Sequence, residues 1–210
     1  MYAQGALGGP GSLSAAARLV IGAPFVVNVT SPFPTRRVTH NGTVIDVLIS
    51  WSEPLAVACG AANTAWRPLP PPPPQDRFSP PVAPAAWMCP AITLALVNGS
   101  GANISVPLVA QAPSTWPPPL GCPPAEAAVL RFRYVAQPGD STLPAIGLPR
   151  PLQYAGHAAL QLASGAAIVR AADSAAAGTA LPPTRRDAGG TDHWASLAGM
   201  RQIVVVIPTS

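Results

Sequence analysis

Proline limits this chain more than any other feature. The sequence carries 29 Pro and 18 Gly in 210 residues, spread so that few stretches escape both. Proline lacks an amide hydrogen and clashes with the preceding helical turn, and glycine loses the most entropy when ordered. Long helices are therefore excluded, and short strands joined by turns remain. Apolar residues make up 49% of the chain, enough to fill a core, while charged residues make up only 10%. A charge-rich disordered tail and a coiled coil are both excluded by so low a charge content. No apolar run reaches the roughly 18 residues that a membrane-spanning helix requires, so no membrane insertion is expected.

Alternation of apolar and polar residues locates the strands. Phe25 to Thr30 reads as a first strand, stopped by Ser31-Pro-Phe-Pro34, and His40-Asn41-Gly42 as a turn. Thr43 to Ser52 places Ile45, Val47, Ile49 and Trp51 on one face and Asp46 and Ser50 on the other. Glu53-Pro54 breaks the pattern, and Leu55 to Ala58 resumes it. Ile92 to Val97 and Val129 to Ala136 alternate in the same way, the latter with Leu130, Phe132 and Tyr134 inward and Arg131 and Arg133 outward. Ile104 to Val109 contains Pro107, which suits an edge strand. Ala166 to Arg170 and Thr179 to Leu181 are weaker, and Ile203 to Ile207 reads as a strand buried on both sides. Roughly seven or eight short strands predict an all-β, two-sheet β-sandwich with long Pro-rich loop insertions. The insertions fall at about residues 60–90, 110–125 and 182–195; the first holds the five prolines Pro70 to Pro74, which favour the polyproline II conformation.

Two segments resemble each other. Ser12 to Ile21 and Ser196 to Val205 both run from Ser-Leu through small residues into a β-branched strand. The expected organisation is a tail or linker of a preceding unit over residues 1–22, then one whole sandwich unit over 23–210.

Four of the five asparagines stand in Asn-x-Ser/Thr: Asn28, Asn41, Asn98 and Asn103. That triplet is the acceptor for N-linked glycan, which requires passage through a secretory compartment. Cys59 and Cys89 bracket the first Pro-rich segment, so a disulfide between them would close that loop, leaving Cys122 over. Three buried thiols in a reducing compartment are the alternative. The expectation is an extracellular or cell-surface chain; Met1 to Gly5 opens no leader peptide, so it is read as part of a longer secreted chain, or as one whose true start is missing.

Little points to chemistry. His40, His157 and His193 are scattered, Glu53 has no obvious partner, and Gly8-Gly9-Pro10-Gly11 lacks the Lys-Ser/Thr of a phosphate loop. No catalytic residue, metal site or cofactor is expected. All 12 basic residues are Arg and they are dispersed, which argues against a nucleic-acid partner. Trp66, Trp87, Trp116 and Trp194 sit in or beside the Pro-rich loops, where an indole can stack on a sugar ring or pin a loop to the core.

In this order, Trp51-Ser-Glu-Pro-Leu55, Ile92 to Leu96, Leu130-Arg-Phe-Arg-Tyr134 with Gly139-Asp140, Ile168 to Gly178, Leu181-Pro182, and Ser196-Leu-Ala198 with Ile203 to Ile207 resemble a known pattern. It is that of the immunoglobulin-like repeat in giant cell-surface proteins of bacteria and green algae, including cyanobacterial surface-motility and adhesin-type proteins. The Pro-rich insertions and the Arg/Ala/Pro bias are similar to green-algal extracellular matrix proteins. The resemblance implies an immunoglobulin-like two-sheet β-sandwich, serving as a non-catalytic structural module in a tandem-repeat, glycosylated cell-wall, matrix or flagellar-surface protein. Its partners would be neighbouring repeats and matrix glycans or proteins. A carbohydrate-binding or adhesive module using the loop tryptophans is the alternative. Arg170-Ala171 and Val206-Ile207 stand where the pattern has acids, so calcium between units is not implied for this chain.

Overall fold

The computed structural model describes residues 22–35, 37–59, 67–68, 86–97, 103–111, 127–142, 150–183 and 195–208. The first tail, most of the Pro-rich insertions, Cys122 and His193 lie outside these residues.

The longest strand organises the rest. Val44–Cys59 (β3) keeps Ile45, Val47, Ile49 and Trp51 buried, as their alternation predicts. Glu53-Pro54 does not end it. The ladder to Ala127–Val135 (β7) skips from Ser50 to Leu55, and this irregularity absorbs the proline. On its other edge β3 changes partner at the same place. Val26–Thr30 (β1) pairs with residues 48–51, and Ala166–Arg170 (β10) pairs with residues 55–59.

Ala86–Val97 (β5) organises the second half. It pairs along one edge with Asn103–Gln111 (β6). Its other edge takes three short partners in turn: Arg67–Pro68 (β4), Leu160–Leu162 (β9) and Gln153–Tyr154 (β8). Strand β5 starts earlier than the Ile92 expected from alternation. Trp87, Met88 and Cys89 belong to it, and the register slips between Cys89 and Thr93, so Pro90 sits exposed on a bulge.

Among the described residues the two halves join through β6 and β7, at only Leu108↔Phe132 and Val109↔Arg131. Together they form one curled antiparallel sheet of nine strands among the described residues, in the order β1-β3-β7-β6-β5-β4, with β10, β8 and β9 completing the edges. The fold is all-β. One further pair, Arg37–Val38 (β2) with Val204–Val205 (β11), is parallel. The one described helix is the four-residue Leu197–Met200 (α1), capped by the Ser196 hydroxyl, which accepts from the Gly199 amide at 3.2 Å.

The concave face of the curl is filled by Leu94, Leu96, Phe132, Tyr134, Tyr154, Leu152, Leu197 and Ile203 beside the β3 row. The run Ile203 to Ile207 differs from its expected form. Ile203, Val205 and Ile207 are buried, but Val204 and Val206 are half-exposed, so it is covered on one side only. Thr179 to Leu181 forms no strand; Leu181 is held by its amide donating to the His157 carbonyl at 2.9 Å.

Candidate functional site

The sulfur chemistry lies inside the curl. Cys59 ends β3 and Cys89 lies near the start of β5, strands that are not ladder neighbours. Their side chains are buried and joined as a disulfide, with Cα atoms 5.8 Å apart. The bridge therefore staples one half of the sheet to the other across the interior.

The asparagines fall in different surroundings. Asn41 is exposed at the tip of the His40–Thr43 turn, where Gly42 takes a positive φ of 78°. Thr43 of the same triplet donates its hydroxyl to the His40 carbonyl at 2.8 Å. Asn103 is exposed at the first position of β6, and Ser105 is exposed two residues on. Asn28 sits within the β1–β3 ladder opposite Ser50, half-buried, with its Oδ1 enclosed and without a hydrogen-bond partner. Asn98 lies outside the described residues.

Of the loop tryptophans, Trp87 is half-buried on β5 opposite Ala110. Trp66, Trp116 and Trp194 lie outside the described residues. Trp51 is in the core, and its indole N–H donates to the Gly178 carbonyl at 3.1 Å.

Two charge clusters brace the sheet. On its outer face Asp46 of β3 meets Arg133 of β7 through two hydrogen bonds, at 2.8 and 3.0 Å, with Arg131 Nη1 3.5 Å away. Arg133 is on the outward side, as alternation places it, yet it is nearly buried by this fork. The second cluster corrects the reading of Glu53 as unpartnered. Arg170, buried at the end of β10, has its Nε 2.7 Å from Glu53 Oε2 and its Nη1 donating to Asp173 Oδ2 at 2.7 Å. The Glu53 contact is an ion pair outside hydrogen-bond alignment, because Nε finds no aligned acceptor. Nη2 donates to the Gly22 carbonyl. The hydrogen bond to Asp173 holds the Arg170 guanidinium charged beyond its ordinary range. The Ala175 amide, then Arg170, draw the Asp173 carboxyl below the usual carboxylate value. One signal in the sequence pointed here: Ile168 and Arg170 share a strand face, so an arginine in an inward register requires acids within reach.

Elsewhere the Tyr134 hydroxyl donates to Asp140 Oδ2 at 2.6 Å, and the Tyr154 hydroxyl to the Pro182 carbonyl at 2.5 Å. Burial, aided by Asp140, pushes the Tyr134 phenol well above its ordinary value; burial alone does so for Tyr154. His40 and His157 are both exposed, in the turns that precede β3 and β9 respectively. Among the described residues no three of His, Cys, Asp and Glu gather as a metal-ligand set. No helix there is long and apolar enough to cross a membrane.

No protein-family profile matches the chain, and searches of curated proteins and of solved structures return no match.

Proposed function

We propose that this chain is a non-catalytic structural module of a tandem-repeat, glycosylated extracellular protein, in a cell wall, matrix or flagellar surface. The observation that carries the proposal is the buried Cys59–Cys89 bridge, because structural disulfides form and persist in oxidising, extracytoplasmic compartments. Exposed Asn41 and Asn103 support the same compartment, since an acceptor triplet must be reachable.

The finer architecture belongs to the same proposal. The halves β10/β1-β3-β7 and β6-β5-β4/β9/β8 act as the two layers of an immunoglobulin-like sandwich. Two residue pairs between β6 and β7 form its one seam among the described residues, and the disulfide crosses the core between layers. The likeness of residues 12–21 to 196–205 supports serial units. In residues 196–205, Leu197, Ile203 and Val205 fill the core, so a related segment before residue 22 suits the same place in a preceding unit.

Antibodies raised against the folded module test the reading on the source cells. They should label the cell-surface or matrix fraction, in a chain longer than this module whose Cys59 and Cys89 resist alkylation until reduced. Label confined to the cytosol, with both thiols reactive after denaturation alone, would refute it.

A further inference from the structure

Strand β6 has two unequal edges. Towards β5 its ladder runs the whole length, from Ala86↔Gln111 to Val97↔Asn103. Towards β7 it pairs at Leu108 and Val109 and then diverges. Pro107, with no N–H to give, stands at the point of divergence. From Asn103 to Pro107 this edge has no ladder partner among the described residues.

An unpaired edge offers its backbone N–H and C=O groups to a strand of another chain. Proteins guard such edges with charge, proline, bulges or a cover. Here the five residues are Asn, Ile, Ser, Val and Pro, with no charge among them. Val106 is buried and Ile104 half-buried, while Asn103 and Ser105 both stand exposed. Those two exposed side chains are the acceptor and the hydroxyl of one Asn-x-Ser triplet.

We propose that Asn103 carries an N-linked glycan whose role is to cover this edge of β6, unpaired among the described residues, and keep copies of the chain from pairing through it. Asn28 stays unmodified, because its amide is packed into the β1–β3 ladder with Oδ1 enclosed, while the neighbouring Val29 amide donates to the Ala195 carbonyl at 2.9 Å. This inference rests on the extracellular reading above and adds which acceptor is used and why.

The test uses the full chain secreted from a eukaryotic host behind a cleavable leader. Peptide mass spectrometry after enzymatic glycan release in heavy-oxygen water should mark Asn103 and leave Asn28 unmarked. Asn103→Gln and Ser105→Ala should each lower the intact mass by one glycan and leave the thermal midpoint of folding unchanged. Both variants, and the parent after glycan release under native conditions, should self-associate in sedimentation runs at concentrations where the glycosylated parent is monomeric. Secreted chain with Cys59 and Cys89 joined but Asn103 unmarked, or with Asn28 marked, overturns this inference and leaves the extracellular reading standing. So does a chain that stays monomeric in all three deglycosylated forms. Retention in the cell with both thiols free overturns the extracellular reading, and this inference with it.

Discussion

Removing the Cys59–Cys89 bridge is the sharpest perturbation of this fold. The two residues are 30 apart in sequence, and among the described residues their strands meet through the intervening β7 and β6 or across the core. In the chain-entropy account, closing a loop of that length removes about 12 cal/mol/K from the denatured ensemble, or about 3.6 kcal/mol near room temperature. Cys59→Ala/Cys89→Ala should therefore destabilise the protein by about that amount. The two sites are buried, so lost packing adds to the cost rather than relieving it. At about 2–4 °C per kcal/mol for a domain of this size, the thermal midpoint should fall by about 7–14 °C. Urea unfolding is the better assay, because it reports slope as well as midpoint. The uncrosslinked denatured chain exposes more surface, so the slope should rise while the midpoint falls. Reduced parent protein should behave like the double variant, and each single variant should match both. A double variant within about 1 kcal/mol of the oxidised parent would refute the bridge as a staple across the interior.

Three other perturbations follow from the charge clusters and the buried phenols. Asp46→Ala leaves Arg133 covered with no close counter-charge among the described residues and should cost about 3 kcal/mol in urea unfolding, whereas Asp46→Ala/Arg133→Met should recover most of it. Tyr134 and Tyr154 keep their protons in the folded state beyond the ordinary tyrosine value of about 10, while the unfolded chain releases them there. Their contribution is fully present below that pH and is lost as pH rises above it, so the urea midpoint should drop on the alkaline side and drop less in Tyr134→Phe/Tyr154→Phe. Asp173 is depressed in the folded state, so its contribution is present above the ordinary carboxylate value and is lost as pH falls through the folded one. Asp173→Asn should flatten the acid limb of the stability profile, and an unchanged limb would remove Arg170–Asp173 as its source.

The strands were legible where one side faces the core and the other does not. Ile45-x-Val47-x-Ile49-x-Trp51 and Leu130-x-Phe132-x-Tyr134 are buried as their period of two requires. Prolines misled the reading of boundaries, not of existence. Pro54 and Pro90 both lie inside strands, because each sits beside a register slip where no ladder N–H is needed. The partners of Arg170 in its ion cage, as distinct from its inward register, were hidden for a different reason. Glu53, Arg170 and the Gly22 carbonyl come from three separate segments, and only the β3–β10 pairing brings them together. The asparagine triplets were visible at once, but the difference between Asn28 and Asn103 is one of ladder position, which no triplet records.

The last residues of the fold explain why a continuous β-branched run need not be a strand buried on both sides. The segment 195–207 divides its hydrogen bonds between the two halves of the curl. Towards the first half, the Val29 amide donates to the Ala195 carbonyl at 2.9 Å, Arg201 Nε to the Ser31 carbonyl at 2.8 Å, and the Val206 amide to the Val38 carbonyl at 2.8 Å. Towards the other, the Leu152 amide donates to the Ile203 carbonyl at 2.6 Å, and Gln153 Nε2 to the Ser196 hydroxyl at 3.0 Å, beside the strand that pairs with β5. A central strand satisfies its backbone against two parallel or antiparallel neighbours over several residues. This segment instead satisfies it one or two residues at a time, on alternate sides, and so needs a helical turn and a two-residue strand rather than one long strand. Its buried Leu197, Ile203 and Val205 then join the core that β3, β5 and β7 line. Removal of residues 195–210 should on this account leave β1 and β8 as exposed edges and abolish cooperative unfolding, rather than trim a dispensable tail.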